Sequence, residues 1–588
     1  MAKAKKHTVQ VAADDAQQPL GEVTPAAAPE VVPIPKKSPA RVIAWCKAHK
    51  KVAVPSALFG VLLIITAIPQ SRYVLPGLFI KKNVSFIVQD KSALTRISDA
   101  DVQVDGKLFA SDQNGVVRAE GVRPGSHVVT VNKLFYKTYK QTYTVSLFSN
   151  KQQMLNIEST GRPAKVTVKN RLNGKVLAGI SVKTEQGSNA KTDSNGKATL
   201  ILPSDKSEVK GTMSGDGIVT ADVTIRAVQD DSTNVYRATP EGRVYFLSKA
   251  SGKVDVVKTN LDGTDRQVVL AATGKESEGD TVLLASKDWK YLALKSRRDS
   301  ELPKLYLIET TSGKLTTIDE GNASFSLIGW SGNAFVYTVD RNGLQLWSTK
   351  RQALKSFNAA TKQLATLDET RGEGTSNYDY AYEVIQAPYL LGSQITYTKT
   401  WYASYYYGTH LADKKMSITV VKPDGSGKKT LHEWQAGYYT YMSTVFVGPE
   451  ELYYQVTLDG GERSTWEYSN GAVTENKELT QDDFNKAYPA FLESPNGKNT
   501  LWSEARDGKN TLFIGDAAGK NGKEIATLSE YVPYGWFTDE YVLVSKNFSE
   551  LYVLGRDGIK PGSVPTKVSD YHRPNYSFYG YGKGYGGL

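Results

Sequence analysis

The sequence predicts a mainly β protein with a single N-terminal membrane helix, and three observations carry that prediction. Residues 52–69, VAVPSALFGVLLIITAIP, contain no charged side chain. Beyond residue 81, short Val-, Thr- and Tyr-rich runs of alternating polarity are broken by Gly, Asn and Asp, the pattern of strands and tight turns. From residue 242 onward a pair of hairpins recurs at roughly forty- to sixty-residue intervals.

The N-terminal elements come first. Residues 1–35, rich in Ala, Pro, Gln and Glu, lack the apolar residues for a core and are expected to be disordered. Residues 36–51 form a basic juxtamembrane segment in which Val42, Ile43 and Trp45 alternate with lysines, a composition that lies on anionic lipid. The helix is predicted over 52–72. Eighteen residues at about 1.5 Å each span about 27 Å, close to the hydrocarbon thickness. About fifty residues precede the run, and IPQSR after it offers no small-x-small cleavage site, so an uncleaved anchor is expected rather than a removed signal. Lys47, Lys50 and Lys51 flank it on one side and Arg72 on the other, with more basic residues before than after. That bias puts the N-terminus in the cytoplasm and the bulk of the chain outside, on the plasma membrane. The single cysteine, Cys46, permits no disulfide within one chain, which fits a bacterial envelope protein better than a eukaryotic ectodomain.

Two modules follow, at 81–159 and 160–233. ADVQVDGKLFASDQNGVVRAEGVRPGSHVVTV (100–131) and AGISVKTEQGSNAKTDSNGKATLILP (178–203) each run strand, D-x-N-G turn, strand, with Asp112 and Asp193 standing 81 residues apart. Asp can accept backbone amides and Asn-Gly tolerates positive φ, so both turns read as tight hairpins. Calcium binding is the weaker reading, because neither loop supplies the six or more oxygens the ion takes. The first module resembles carboxypeptidase-regulatory-like or PEGA-type sandwiches, and the second a more divergent copy. The resemblance implies immunoglobulin- or transthyretin-like folds and a spacing or contact role.

The repeat fills 234–588. KLYLIETTSGKLTTI (304–318) is echoed by ALKSFNAATKQLATL (353–367), MSITVVKPDGSGKKTL (416–431) and NTLFIGDAAGKNGKEIATL (510–528), among seven such hairpins. Another hairpin precedes six of the seven, including SKDWKYLAL and ESPNGKNTLW. Four strands per unit at this period make a β-propeller blade. The SPNGK turn resembles that of TolB-like and WD-like propellers. Seven blades are expected, with six or eight possible. The first unit lacks its innermost strand, which the C-terminal NYSFYGYG (575–582) can supply.

Strands of a blade alternate direction, so second-to-third turns and the connections between blades emerge on one face. Three tyrosine clusters map there: Tyr378, Tyr380 and Tyr382; Trp401, Tyr402, Tyr405, Tyr406 and Tyr407; and Tyr438, Tyr439 and Tyr441. Arg297, Arg298, Arg341 and Arg463 fall in neighbouring turns. Exposed Tyr with Arg is the composition of contact surfaces for protein or glycan; mutual packing of the rings to hold long loops is the competing reading.

Little points to catalysis. The six histidines form no metal-ligand spacing, no G-x-S-x-G elbow exists, and GSGKKT (425–430) has Lys422 where a phosphate loop needs glycine. No cofactor or metal is expected. Beyond residue 51 both charge signs interleave, giving no case for nucleic acid. The expected partners are the bilayer, through residues 52–69, and a protein or glycan at the cell surface. The function expected is that of an anchored binding protein, with a scaffold of an envelope complex or a glycan-active enzyme as alternatives. Deleting Tyr576–Tyr581 is expected to strip cooperative unfolding from the propeller in a calorimetric melt; an unchanged melt refutes closure by that segment.

Overall fold

The computed structural model describes residue 55 and residues 80–570, apart from 93, 149–150, 278, 405–410, 449–450, 479–491, 528–529, 547–548 and 559–564. The apolar run (Pro55 aside), its basic flanks, Tyr405, Tyr406, Tyr407 and NYSFYGYG therefore lie outside the described residues. Among those described, no helix is long and apolar enough to cross a membrane.

The first module comprises β1 (Lys82–Asp90), β2 (Asp101–Val104), β3 (Lys107–Ala110), β4 (Val116–Val122), β5 (Gly125–Asn132), β6 (Tyr139–Val145) and β7 (Gln153–Ile157). The second comprises β8 (Arg162–Asn170), β9 (Ser181–Thr184), β10 (Asn189–Lys191), β11 (Lys197–Leu202), β12 (Glu208–Ser214), β13 (Ala221–Arg226) and β14 (Val235–Ala238). Their sheets match strand for strand: β4-β1-β7 with β3-β2-β5-β6, and β11-β8-β14 with β10-β9-β12-β13. In each, the last strand pairs parallel with the first. Alternation explains the cores: Val102, Val104, Val129 and Val131 point inward in one module, and Val182, Leu200, Met213 and Ile225 in the other. The sequence reading ended the second module at 233. The structure moves that boundary to 238, because β14 pairs with β8 and completes the smaller sheet.

The two D-x-N-G turns are built alike, but neither closes the hairpin the sequence predicts: each carries the chain from the larger sheet to the smaller one, β3 to β4 and β10 to β11. Asp112 Oδ1 accepts the amides of Asn114 (2.8 Å) and Val116 (2.9 Å), and Asp193 Oδ1 those of Asn195 (2.8 Å) and Lys197 (2.9 Å). Gly115 and Gly196 sit at φ 69° and 68°, and a Cβ on either would lie 2.7 Å from a β1 or β8 carbonyl oxygen. One step earlier, Ser111 and Thr192 each bond two backbone groups of the preceding loop. A polar clamp joins the modules: Lys133 Nζ donates to Ser98 O (2.9 Å) and to Asn189 Oδ1 (2.7 Å).

Among the described residues seven sheets follow in chain order, each an antiparallel meander, and together they form a β-propeller. Blades 2 to 7 occupy 282–319, 323–369, 372–435, 441–475, 492–527 and 531–570. Blade 4 carries a fifth strand, while blade 1 has three: Arg243–Ser248, Asp255–Asn260 and Gln267–Leu270. A register shift marks the pairing of third with outer strand in blades 2, 3, 4, 6 and 7. The same shift joins the last two strands of blade 1, which are therefore its third and outer strands. The position that blade 1 leaves open among the described residues is the innermost one.

Adjacent blades are tied by a recurring bond. A tyrosine on the second strand of one blade reaches the outer strand of the blade before it: Tyr337 to Asp319 (2.8 Å) and Tyr397 to Asp368 (2.6 Å). Burial and the neighbouring carboxylate push both phenols far above their ordinary pKa, so they stay donors. Between blades 4 and 5, His432 takes the place of the aspartate, 3.4 Å from the Tyr454 hydroxyl and packed against Trp434 and Trp466.

Gly115→Ala or Gly196→Ala forces a side chain into positive φ and against a carbonyl. Each is expected to destabilise its module by more than about 1 kcal/mol, read as a lowered denaturant midpoint. A neutral outcome refutes the turn assignment.

Candidate ligand face and stalk face

The long inner strand of blade 4, Asp379–Leu391, and its neighbour Gln394–Ala403 make a pairing that extends past the hairpin core to Ala381 and Ala403. The added strand Gly372–Ser376 pairs with the start of Asp379–Leu391, from Tyr382 to Asp379. Period-two alternation then puts Tyr380 and Tyr382 on one side of that strand, beside Tyr402. The rings form a row: Trp347 on Tyr380 (5.1 Å between centroids, 23°), Tyr380 to Tyr382 (5.9 Å, 37°), and Tyr382 to Tyr402 (5.8 Å, 29°). The Tyr402 hydroxyl accepts Gln386 Nε2 at 2.8 Å. Tyr378, at the tip of the added hairpin, is 71% exposed.

The row stands on an ionic layer. Glu383 is buried, and its carboxylate accepts the Arg371 amide (2.8 Å), the Arg371 guanidinium (3.0 Å from Nε) and Lys399 Nζ (2.8 Å). Burial raises the pKa of Glu383, but Arg371 and Lys399 outweigh it and leave the carboxyl below its ordinary value. Trp401, expected on the exposed face, is 4% exposed and belongs to the core under the row, with Arg371 and Lys414 over its ring at 5.4 and 5.1 Å.

The remaining tyrosines stand on the connection into blade 5. Tyr438 and Tyr439 pack edge to face at 5.0 Å, and Tyr439 is 69% exposed. Asp459 fixes this turn by accepting the Tyr439 amide (2.7 Å) and the Thr440 hydroxyl (2.9 Å). A Cβ on Gly437 would strike that carboxylate at 2.4 Å. Tyr441 begins the next strand and is exposed. The arginines lie on second-to-third turns of the same face and are engaged within the fold: Arg297 with Asp280 (3.0 Å) and Arg341 with Glu369 (3.3 Å). Arg298 follows Arg297 in its turn, and Arg463 opens the third strand of blade 5.

The opposite face carries the second sandwich. Asn170 Nδ2 donates to the Tyr541 hydroxyl (2.6 Å) in the first-to-second turn of blade 7. Arg171 pairs with Asp262 (3.3 Å), and Lys175 with Asp557, both in third-to-outer turns. Such turns lie on the side away from the tyrosines.

This face also holds a cavity of about 420 Å³, lined by Gly242, Tyr245, Lys287, Trp289, Pro495 and Phe537 among others. Sequence reasoning missed it. Trp289 sits at φ 59° in the turn SKDWK, where the matching turn SPNGK has Gly497 at φ 69°. Both turns share one bonding scheme: Ser286 O accepts the Trp289 amide, and Ser494 O the Gly497 amide, each at 2.9 Å. A tryptophan in a glycine's backbone position was the available signal. Its indole stacks on Tyr245 and donates from Nε1 to Phe537 O at 2.8 Å, joining blade 2 to blade 7 across the inner edge of blade 1.

No protein-family model matches the chain, and no curated protein matches it. Solved structures similar to it include one of two prolyl endopeptidases (12% identity, TM-score 0.33, covering 67% of this chain and 50% of that one). Others are the β-propeller domain of the Trilobed protease from Pyrococcus furiosus (12%, 0.30, 63% and 94%) and TolB from Acinetobacter baumannii (14%, 0.24, 53% and 74%). The chain thus spans half the length of the prolyl endopeptidase it matches. The propeller assignment rests on the strand order itself.

Glu383→Gln removes the shared charged acceptor beneath the row and leaves Lys399 with Asp368, 3.5 Å away, as its remaining carboxylate. A loss of about 2 kcal/mol is expected. Because the carboxyl sits below its ordinary pKa, its contribution is full above about pH 4.5 and fades as pH falls through the folded value. The variant should therefore lose part of the acid limb of a stability-versus-pH curve. An unchanged acid limb refutes the role given to Glu383.

Proposed function

We propose that this chain is a membrane-anchored binding protein of the cell envelope, with its N-terminus in the cytoplasm and its propeller presented for protein or glycan recognition. The observation that carries the reading is the aromatic face of blades 3 to 5, which lies opposite the face where the stalk docks. A ligand reaching that face meets exposed Tyr378, Tyr402 and Tyr439 without obstruction from the second sandwich. Tyrosine brings large contact area at small entropy cost, and its face and hydroxyl suit both sugar rings and peptide. The charge-free run 52–69 supports the anchor, and the basic excess before it supports the orientation.

A scaffold role in an envelope complex has its own support. Leu108 (59% exposed) and Val128 (39%) stand out on the larger sheet of the first sandwich, β3-β2-β5-β6, where a partner subunit can cover them.

The test is binding of the full-length protein, in detergent, to a glycan array and to whole cells. Tyr380→Ser, Tyr382→Ser and Tyr402→Ser together are expected to lower binding at least tenfold with little change in melting temperature. Unchanged binding by a folded triple variant overturns the aromatic-face reading. A partner retained by that variant but lost on Leu108→Glu favours the scaffold.

A further inference from the structure

A ring of blades is strongest where the chain runs from one blade to the next, through connections as short as residues 370–371. The junction of blade 7 with blade 1 differs. Among the described residues no strand is shared across it and no connection crosses it. Its two sides meet through one apolar core, in which Val244, Phe246 and Leu261 of blade 1 pack with Leu543, Leu551 and Val568 of blade 7. A third element enters that core. Leu172, from the turn after β8, is 9% exposed and lies within it.

We propose that the turn Asn170–Gly174 of the second sandwich is the clasp that keeps the propeller shut, so that this sandwich is a working part of the ring. The turn is preformed: Asn170 Oδ1 accepts the Leu172 amide (2.8 Å), the Asn170 backbone carbonyl accepts the Gly174 amide (2.9 Å), and the Asn170 backbone N–H donates to Lys175 O (2.7 Å). Its contacts straddle the junction. Toward blade 1, Arg171 pairs with Asp262, which also accepts the Thr239 hydroxyl at 2.5 Å. Toward blade 7, Asn170 bonds Tyr541 and Lys175 pairs with Asp557. The ion pairs are partly solvated and contribute little. Leu172 and the Asn170–Tyr541 bond carry the clasp, because both are desolvated by the joint itself. Opening of the ring is then the local unfolding that costs least, and the clasp sets that cost.

The experiment is hydrogen exchange on the full-length protein with Cys46→Ser. Leu172→Asp is expected to speed exchange at least tenfold in Asp255–Asn260 and Thr566–Asp570, with no change in β8 and β11 or in Ala334–Arg341 of blade 3. Equal acceleration in all blades, or none at the junction, overturns the proposal. A second variant guards against a chain that does not fold. An ideal Cβ on Gly555 lies 3.1 Å from the Asn173 Cβ, so Asn173→Cys with Gly555→Cys should crosslink after a small relaxation. The oxidised form is expected to slow exchange at the junction at least tenfold relative to the reduced form. Identical exchange in the two forms also overturns the clasp.

Discussion

The contact of blade 7 with blade 1 bears the load of the propeller, because a circle of sheets has to be closed by something other than the continuity of the chain. Inner boundaries are crossed by the chain itself, at some of them through only two or three residues, and two of them add a buried tyrosine bonded to the outer strand of the preceding blade. At the closing boundary the described residues of the two blades meet by packing. Trp289 adopts a left-handed backbone conformation there that a non-glycine residue takes only at a cost of about 1–3 kcal/mol. The cost is offset by an indole that bridges from blade 2 to the backbone of blade 7. Leu172 brings a second bridge from outside the ring.

The interior ties between blades are not uniform. Asp319 and Asp368 are anionic acceptors with lysines beside them, Lys355 at 2.8 Å and Lys428 at 2.8 Å. Burial among aromatic rings lowers the pKa of His432. Protonating it costs more in the fold than in the unfolded chain, so the boundary of blades 4 and 5 weakens as pH drops below the ordinary histidine value of about 6.5. Tyr438, Tyr439 and Tyr441 of the candidate ligand face stand on the connection that crosses that same boundary.

Local features were legible in the sequence, and long-range ones were not. D-x-N-G read correctly as a turn because Asp112 and Asp193 act on amides two and four residues away, but not as a hairpin, since the strands it joins belong to different sheets. The hairpin repeats read correctly because alternation and turn residues act within a dozen positions. The strand β14 was assigned to the wrong domain, since its parallel partner β8 lies far back in the chain and parallel pairing leaves no turn signal. At the site, sequence could gather tyrosines onto one face but could not distinguish Trp401, which is core, from Tyr402 beside it. It also passed over Arg371 and Glu383, whose pairing makes the layer beneath the rings. Trp289 was visible as a tryptophan where the repeat calls for glycine, though its purpose depends on Phe537, 248 residues later.

The parallel pairing of first and last strands in each sandwich has a consequence for length. Chain entering at one end of β8 leaves β14 at the other end, so the module carries the chain forward by about one strand length, near 30 Å for nine residues at about 3.3 Å each. A sandwich whose terminal strands were antiparallel would return the chain to its starting side and add no reach. The second module, engaged with the ring through Leu172, is fixed in its place. Reach in this architecture is therefore adjustable at the first module alone: duplicating it lengthens the spacer in one unit-sized step, and the ring does not register the change.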